Sequence, residues 1–446
     1  MKFGFVTGNS GQPPELAAEY ARRRAAATAR VALDGPWERG VLADRLVESR
    51  LLELEAAEDL ASRLLELSPS PPIGGVRELT ALVLDLPPLP EHARLRPAPP
   101  PEPPAPRPWR WGVPRWATPA ECARALDLTP GELDWFADLG GWNRRAGRPL
   151  RHYRYRWVPT RTGGARLLES PKPRLAELQR RVVRHVVARF PLHEAVHGFR
   201  TGRSPVTCAA QHSGRDVVVR MDLEGFFTTV SGRRVRALLA AAGYPPRVAA
   251  VLAGLLTTAT PADVLADAPA GRDPALRWRQ VRGLAGPHLP QGAPSSPAVA
   301  NAAAHRLDVR LAGLARVLGV AYTRYADDLA FSGDAAVPVH RLVPGVRRIA
   351  REEGFRIREA KTSVTGAHQR QRVAGLVVNS APAVSRREYD ALRALLHNCV
   401  RTGPRAQNRD GHPDFRAHLL GRIGWAGTGN PRRAARLRAL FDRIAW

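Results

Sequence analysis

Between Pro14 and Leu67 apolar residues recur three and four positions apart among Ala, Arg and Glu, and RLVESRLLELEAAEDLASRLLEL holds that spacing throughout. This period gives a helix with one apolar face, so residues 1–85 are expected to form a helical extension. Its leucine face is open to three uses: packing on the rest of the chain, on an RNA or on a partner. The pattern stops at residues 86–117. LPPLPEHARLRPAPPPEPPAPRP has too many prolines to pack and predicts an extended linker. Thr118-Pro119-Ala120-Glu121 and Thr129-Pro130-Gly131-Glu132 then look like two helix starts, each with Glu three positions after a capping Thr. From Tyr153 onward β-rich and helical stretches alternate, and PRRAARLRALFDRIAW predicts a last basic helix.

Two apolar runs end in acids. DVVVRMDLEGFFTTV predicts a β-branched strand over residues 217–221 that stops at Asp222, and VAYTRYADDLAFSG predicts two short strands about a tight turn holding Asp327 and Asp328. Laid side by side, the strand end and the turn would gather three carboxylates. Nucleotidyl transfer needs such a set, because two Mg²⁺ ions sharing hard oxygen ligands activate the attacking hydroxyl and neutralise the leaving pyrophosphate. Rigid strand ends hold such ligands better than loops. Asp222 and Asp327 are the better bridges, with Asp328 either a ligand or a neighbour of one. Read alone, an Asp pair in a turn is turn chemistry and Asp222 a helix cap. The apolar strands around all three argue for the site.

Charge points the same way. The 446 residues carry 68 Lys and Arg against 41 acids, a formal net of +27. An excess of this size suits a polyanion, since each neutralised phosphate releases counterions. Arg outnumbers Lys as a GC-rich gene would dictate, but codon bias does not explain why acids lag behind. Cys122, Cys208 and Cys399 lie far apart, with no CxxC and no His at ligand spacing, which argues against disulfides and a zinc site. The start, MKFGFVTGNSGQPP, does not read as a signal peptide, and no apolar run reaches membrane-spanning length. A cytoplasmic protein with no membrane partner is expected.

DLEGFFTTV, LPQGAPSSPAVAN and YADDLAFSG, present in one chain, resemble the palm of reverse transcriptases, the bacterial retron type most closely, and the likeness extends from about Tyr153 to Trp446. The resemblance implies an α+β right-hand polymerase. Its fingers and palm, with an antiparallel sheet, would span 118–380 and its helical thumb 381–446. It also implies residue roles. Phe227 would screen the sugar and select dNTPs, leaving Phe226 for the core. Gln291 would contact the nucleotide. Arg166 and Arg161, in WVPTRTGGARLLESPKP, would bind the triphosphate. Lys361 in REAKTSV would protonate the departing pyrophosphate, although the residue alone reads equally well as an exposed cation. GFRTGRSPVTCAAQH resembles a retron insertion that usually reads Asn-Ala-x-x-His, with Cys208 here in place of Asn and His212 kept. Val373-Ala374-Gly375 stands where retron enzymes carry Val-Thr-Gly. His212, Gly375 and Asn379 would contact RNA or primer. Implied partners are a structured non-coding RNA as template and primer, dNTPs, the RNA–DNA product and an effector protein. Two other readings stay open: an intron-maturase or CRISPR-linked reverse transcriptase, and a non-catalytic RNA binder on the same scaffold.

Overall fold

The computed structural model describes residues 14–49, 51–72, 74–86, 108–160, 164–270 and 273–446. Contacts divide the chain into two units, Met1–Ala105 and Pro106–Trp446. In the first, four helices run α1 (Pro14–Ala32), α2 (Arg39–Glu48), α3 (Leu54–Leu67) and α4 (Gly75–Asp85). The leucine stretch expected as one continuous helix is broken in two. Ser49 Oγ donates to Leu46 O (2.9 Å), ending α2 with a local bond that competes with the helix. The break lets α2 and α3 pack on each other, with Leu42, Leu46, Leu60 and Leu64 all buried.

The second unit begins earlier than the proline pattern implies. The expected linker 86–117 lies partly outside the described residues, but 108–117 is packed rather than extended. Trp109 sets its ring edge on Tyr244 (5.1 Å), Trp111 packs on Phe190 (5.1 Å), and Arg110 N–H donates to Ala242 O (3.0 Å). Three tryptophans in eight residues carry more apolar area than the flanking prolines can keep in water.

Two short helices follow, α5 (Pro119–Ala125) and α6 (Pro130–Ala137). Thr129 makes the complete capping box with Glu132, whereas Glu121 reaches past its cap Thr118 to Ala117 N–H (2.8 Å). A hairpin comes next, β1 (Tyr153–Pro159) with β2 (Ala165–Pro171), paired from Tyr153↔Pro171 to Pro159↔Ala165. Then come α7 (Pro173–His185), α8 (Pro205–Ala210), β3 (Val217–Asp222), α9 (Gly232–Ala241), α10 (Pro246–Leu256), α11 (Ala262–Ala266), α12 (Pro274–Ala285), α13 (Ser296–Ala303) and α14 (His305–Val317). The chain continues through β4 (Ala321–Tyr325), β5 (Asp328–Gly333), α15 (Val339–Glu352), β6 (Ser363–Gly366), β7 (Arg372–Val373) and β8 (Leu376–Val377). It ends with α16 (Arg386–Thr402), α17 (Pro404–Gln407), α18 (Phe415–Gly427) and α19 (Pro431–Phe441).

The central sheet has the order β4-β5-β3-β6, every pair antiparallel. Strand alternation sorts its side chains. Val219, Met221, Leu329 and Phe331 enter a large core shared with α7, α9, α10, α14 and α15. Val218 and Ala330, on the other face, join a second core built from β7, β8 and the C-terminal helices. Asp222 and Asp328 continue that second face past the end of its apolar cover.

Candidate active site

Register brings the acids together. Asp222 is the Cα partner of Asp328, and Tyr325 pairs with the same residue across a two-residue turn of Ala326 and Asp327. Ala326 lies at φ +58°, a conformation a non-glycine residue holds only when its surroundings impose it. Those surroundings are a buried polar frame that the motifs did not reveal. Arg324, fully buried on β4, donates twice to buried Asp308 (2.7 Å each), once to Asn301 Oδ1 (2.9 Å) and once to the Ala326 carbonyl (3.0 Å). Asn301 Nδ2 in turn donates to Gly198 O (2.8 Å). A Cβ at Gly198 would stand 2.5 Å from Ala326 N, so only glycine lets this segment back the turn so closely. The pattern D-x-x-L on α14 and an Arg inside a strand offered no signal, because a buried charge pair shows only once both members are placed.

The electrostatics of the three acids differ. Burial raises the Asp327 carboxyl above its ordinary range, and the charges of Asp222 and Asp328 push it further. Burial also raises Asp328, against the pull of Arg220, whose Nη2 stands 3.5 Å from its Oδ1. Asp222 is nearly fully buried. Lys361 Nζ donates to its Oδ2 (2.7 Å), and Arg358 Nε approaches Oδ1 to 3.4 Å. Oδ1 itself has no hydrogen-bond partner.

That buried oxygen, which accepts no hydrogen bond, and the two raised carboxyls beside it could hold a hard cation. Among the described residues no three His, Cys, Asp or Glu side chains converge closely enough to cage an ion alone. A small divalent ion does not need a cage, since it keeps waters and takes phosphate oxygens alongside one or two carboxylates. The donors fit that kind of site.

Other expected site residues fall around this cluster. Phe226 is buried, 5.4 Å from the Arg324 guanidinium and 5.9 Å from Phe355. Phe227 is half-buried, its ring 6.2 Å from Phe199. Gln291 is half-buried, and its carbonyl accepts from Glu169 N–H (2.9 Å) on β2. Arg166 is exposed on β2, while Arg161 lies outside the described residues. Gly375 is exposed at φ +86° in the β7–β8 turn, beside Trp425 of α18.

Two residues expected to contact RNA or primer are engaged within the protein. His212 is fully buried, with one ring nitrogen bonded to Thr323 Oγ1 and the other to Ser332 Oγ (2.7 Å each). Desolvation, with His197 and Arg215 nearby, depresses its pKa to about 4. It is a neutral brace across β4 and β5. Cys208, 3.2 Å from the same Thr323 hydroxyl, packs beside it. Asn379 spends its amide on a loop, donating to Ala367 O (3.0 Å) and Gln369 O (2.7 Å) and accepting from Gln371 N–H (3.0 Å).

A second missed cluster ties the hairpin to the Gln291 loop. Glu169, fully buried, accepts from Thr260 Oγ1 (2.7 Å) and meets His288 Nε2 at 2.8 Å, while His288 Nδ1 faces Gly286 O (2.8 Å).

Comparison with known proteins decides the family. The reverse transcriptase (RNA-dependent DNA polymerase) family model matches residues 158–378. The retron Mx65 reverse transcriptase of Myxococcus xanthus is 41% identical over 334 residues, 74% of this chain and 72% of that protein. The chain belongs to the bacterial retron-type reverse transcriptases. The retron Mx162 enzyme of the same organism is 41% identical over 293 residues, 62% of this chain and 57% of its own length. The retron Ec86 enzyme of Escherichia coli is 28% identical over 234 residues, 52% and 65% respectively. This retron-type reverse transcriptase is thus an RNA-directed DNA polymerase, of a class that works with divalent metal ions. No described helix is long and apolar enough to cross a membrane.

Proposed function

We propose that the enzyme copies a structured non-coding RNA, encoded beside its gene, into single-stranded DNA that stays joined to that RNA through a 2′ branch. The same RNA serves as template and primer, and the product serves antiphage defence, with an effector protein as a further partner. The observation that carries this reading is the 41% identity to the retron Mx65 reverse transcriptase across 72% of that protein.

In the reaction a ribose hydroxyl attacks the α-phosphorus of a dNTP, the P–O bond to the β-phosphate breaks, and pyrophosphate leaves. Asp222 and Asp327 would hold the ions, two Mg²⁺, with Asp328 beside them; their unpartnered oxygen and raised carboxyls support this assignment. Bound Mg²⁺ would supply Lewis acidity at the hydroxyl and the phosphates. Arg166, on β2, reaches the triphosphate, where guanidinium forks suit phosphate oxygens, and Arg161 is a second such contact expected from the resemblance. Gln291 contacts the nucleotide. The Phe227 ring closes the space a ribose 2′-OH would need. Lys361, a donor to Asp222, protonates the leaving pyrophosphate. Gly375, in an exposed turn, lets the primer strand approach closely, and the arginines of α19 grip an RNA stem by its phosphates.

The test is to purify the enzyme from cells carrying its native locus and split the bound nucleic acid between RNase, DNase and a debranching enzyme. A small DNA released from RNA only by debranching supports the reading. RNA with no attached DNA overturns the branched product.

A further inference from the structure

We propose that residues 135–156 form a docking track for single-stranded nucleic acid, outside the carboxylate cluster. Large apolar side chains left in solvent concentrate here. Trp135, Leu139, Trp142 and Leu150 are all exposed, and Trp142, at 68%, is the most exposed aromatic among the described residues. Contiguous exposed apolar area of this kind marks a surface that meets something.

Charge identifies what it meets. From Leu139 to Leu168 the sequence holds eight arginines and no acid. Arg144, Arg145 and Arg148 are exposed in the loop, and Arg154 and Arg156 on β1. Strand alternation puts Arg154 and Arg156 on the face that register shares with Arg166. Of the acids at the track's margin, Asp134 is exposed beside Trp135, and the other two are held in local bonds. Asp138 accepts from Asn143 N–H (3.1 and 3.2 Å), and Asp263 takes both forks of Arg151 (2.9 Å each). Against these acids the five exposed arginines, with Arg166 on the same strand face, leave the surface net positive.

The loop is built rather than loose. Buried Asn143 donates to Leu150 O (3.4 Å) and accepts from His152 N–H (2.6 Å), closing the loop on itself. Arg151 Nε donates to Ala146 O (2.9 Å), and Lys172, just past β2, donates to Pro149 O. Trp135 rests edge-on against His152 (5.1 Å), and Arg145 lies over Trp142 (5.5 Å). A rigid, solvent-facing indole among guanidinium groups is the arrangement on which unpaired bases stack while the backbone is neutralised. A duplex hides its base faces and would use the arginines alone. A folded protein partner's basic groups would find only Asp134 and Asp138 here against five exposed arginines.

The inference goes beyond DNA synthesis and is read by binding, so a failure of the polymerase assignment would leave it standing. The experiment measures fluorescence anisotropy of a labelled 12-nucleotide oligouridine RNA with the full-length enzyme over a salt series. Trp142→Ala is expected to weaken binding about tenfold, as loss of one stacked base does. Trp142→Phe should recover most of it. Arg144→Ser/Arg145→Ser/Arg148→Ser should flatten the log–log salt slope by about two, at roughly 0.7 per phosphate on a single strand. A blunt RNA duplex of equal length should respond to the arginine variant and not to Trp142→Ala. Unchanged melting temperatures establish that the variants fold. If Trp142→Ala binds the 12-mer as the parent does, or loses single strand and duplex equally, the track is not a stacking site and the inference fails.

Discussion

Burial and mutual repulsion set Asp327 apart from an ordinary carboxylate. An acid whose pKa is raised on folding stabilises the protein fully below its unfolded pKa and loses that contribution as pH rises through the folded value. At neutral pH the charged Asp327 therefore costs stability. Asp327→Asn should raise Tm by about 1–3 °C there, and the gain should vanish in acid. Scanning calorimetry across pH checks this. The same carboxyls bind protons and metal on the same oxygens. Activity should fall on the acid side above the range of a normal carboxylate, and more Mg²⁺ should move that limb to lower pH. A limb indifferent to Mg²⁺ belongs to another group. Phe227 offers a test of sugar choice: Phe227→Ala should admit rNTPs, read as the ratio of kcat/KM for dNTP and rNTP, and an unchanged ratio returns the ring to the core. The three acids and the Phe pair were legible because each ends or follows an apolar strand. The burial of His212 did not show, because nothing in a short motif says which way an imidazole points, and Arg324 stayed hidden because its partners lie 16 and 23 residues away.

Among elements, Glu169 ties the β1–β2 hairpin to the Gln291 loop. Glu169 bonds the loop through its backbone and the His288 and Thr260 side chains through its carboxylate. Arg166 sits three residues before it on the same strand, so Glu169 fixes the spacing between two proposed nucleotide contacts. Glu169→Ala leaves His288 Nε2 and the Thr260 hydroxyl buried without partners, which costs about 1–3 kcal/mol each. The KM for dNTP should rise at least tenfold while RNA affinity holds, since misplacement of a positioning group by an ångström costs about a hundredfold. Glu169→Gln can accept from Thr260 and donate to a neutral His288, and should restore KM to within a few-fold. Steady-state kinetics on a fixed primer–template reads both variants, and equal damage by both would assign Glu169 to stability alone. None of this showed in the sequence, where RLLESP is simply an alternating strand. The strands β3, β4 and β5 did show, as apolar runs, and so did the starts of α5 and α6, which a capping Thr and a proline mark locally. The break between α2 and α3 did not, since a serine turning the chain leaves the leucine period intact.

For the whole molecule, charge is divided unevenly. Residues 1–105 carry 12 basic and 15 acidic side chains, whereas residues 106–446 carry 56 and 26, a net of +30. The basic excess that first suggested a polyanion belongs entirely to the unit with the carboxylates. Deleting residues 1–105 should leave both RNA affinity and its salt slope within about twofold, with synthesis on a generic primed template retained. A soluble truncation that no longer binds RNA would show that the helical unit contributes contacts its charge does not disclose. Proline content marked a break after the first helices but not the packing of 108–117, because tryptophans inside a proline-rich run seat themselves on a surface only the fold supplies.

The central claim is that Asp222, Asp327 and Asp328 drive RNA-templated DNA synthesis through divalent metal. The most direct measurement is incorporation of labelled dNTP on a primed RNA template by the wild-type enzyme and Asp327→Asn, with Mg²⁺ and with chelator, alongside RNA affinity. The account predicts synthesis by the wild type only with metal, loss of about a thousandfold or more in the variant, and equal RNA binding by both. Undiminished synthesis by Asp327→Asn, or synthesis that survives the chelator, would contradict it.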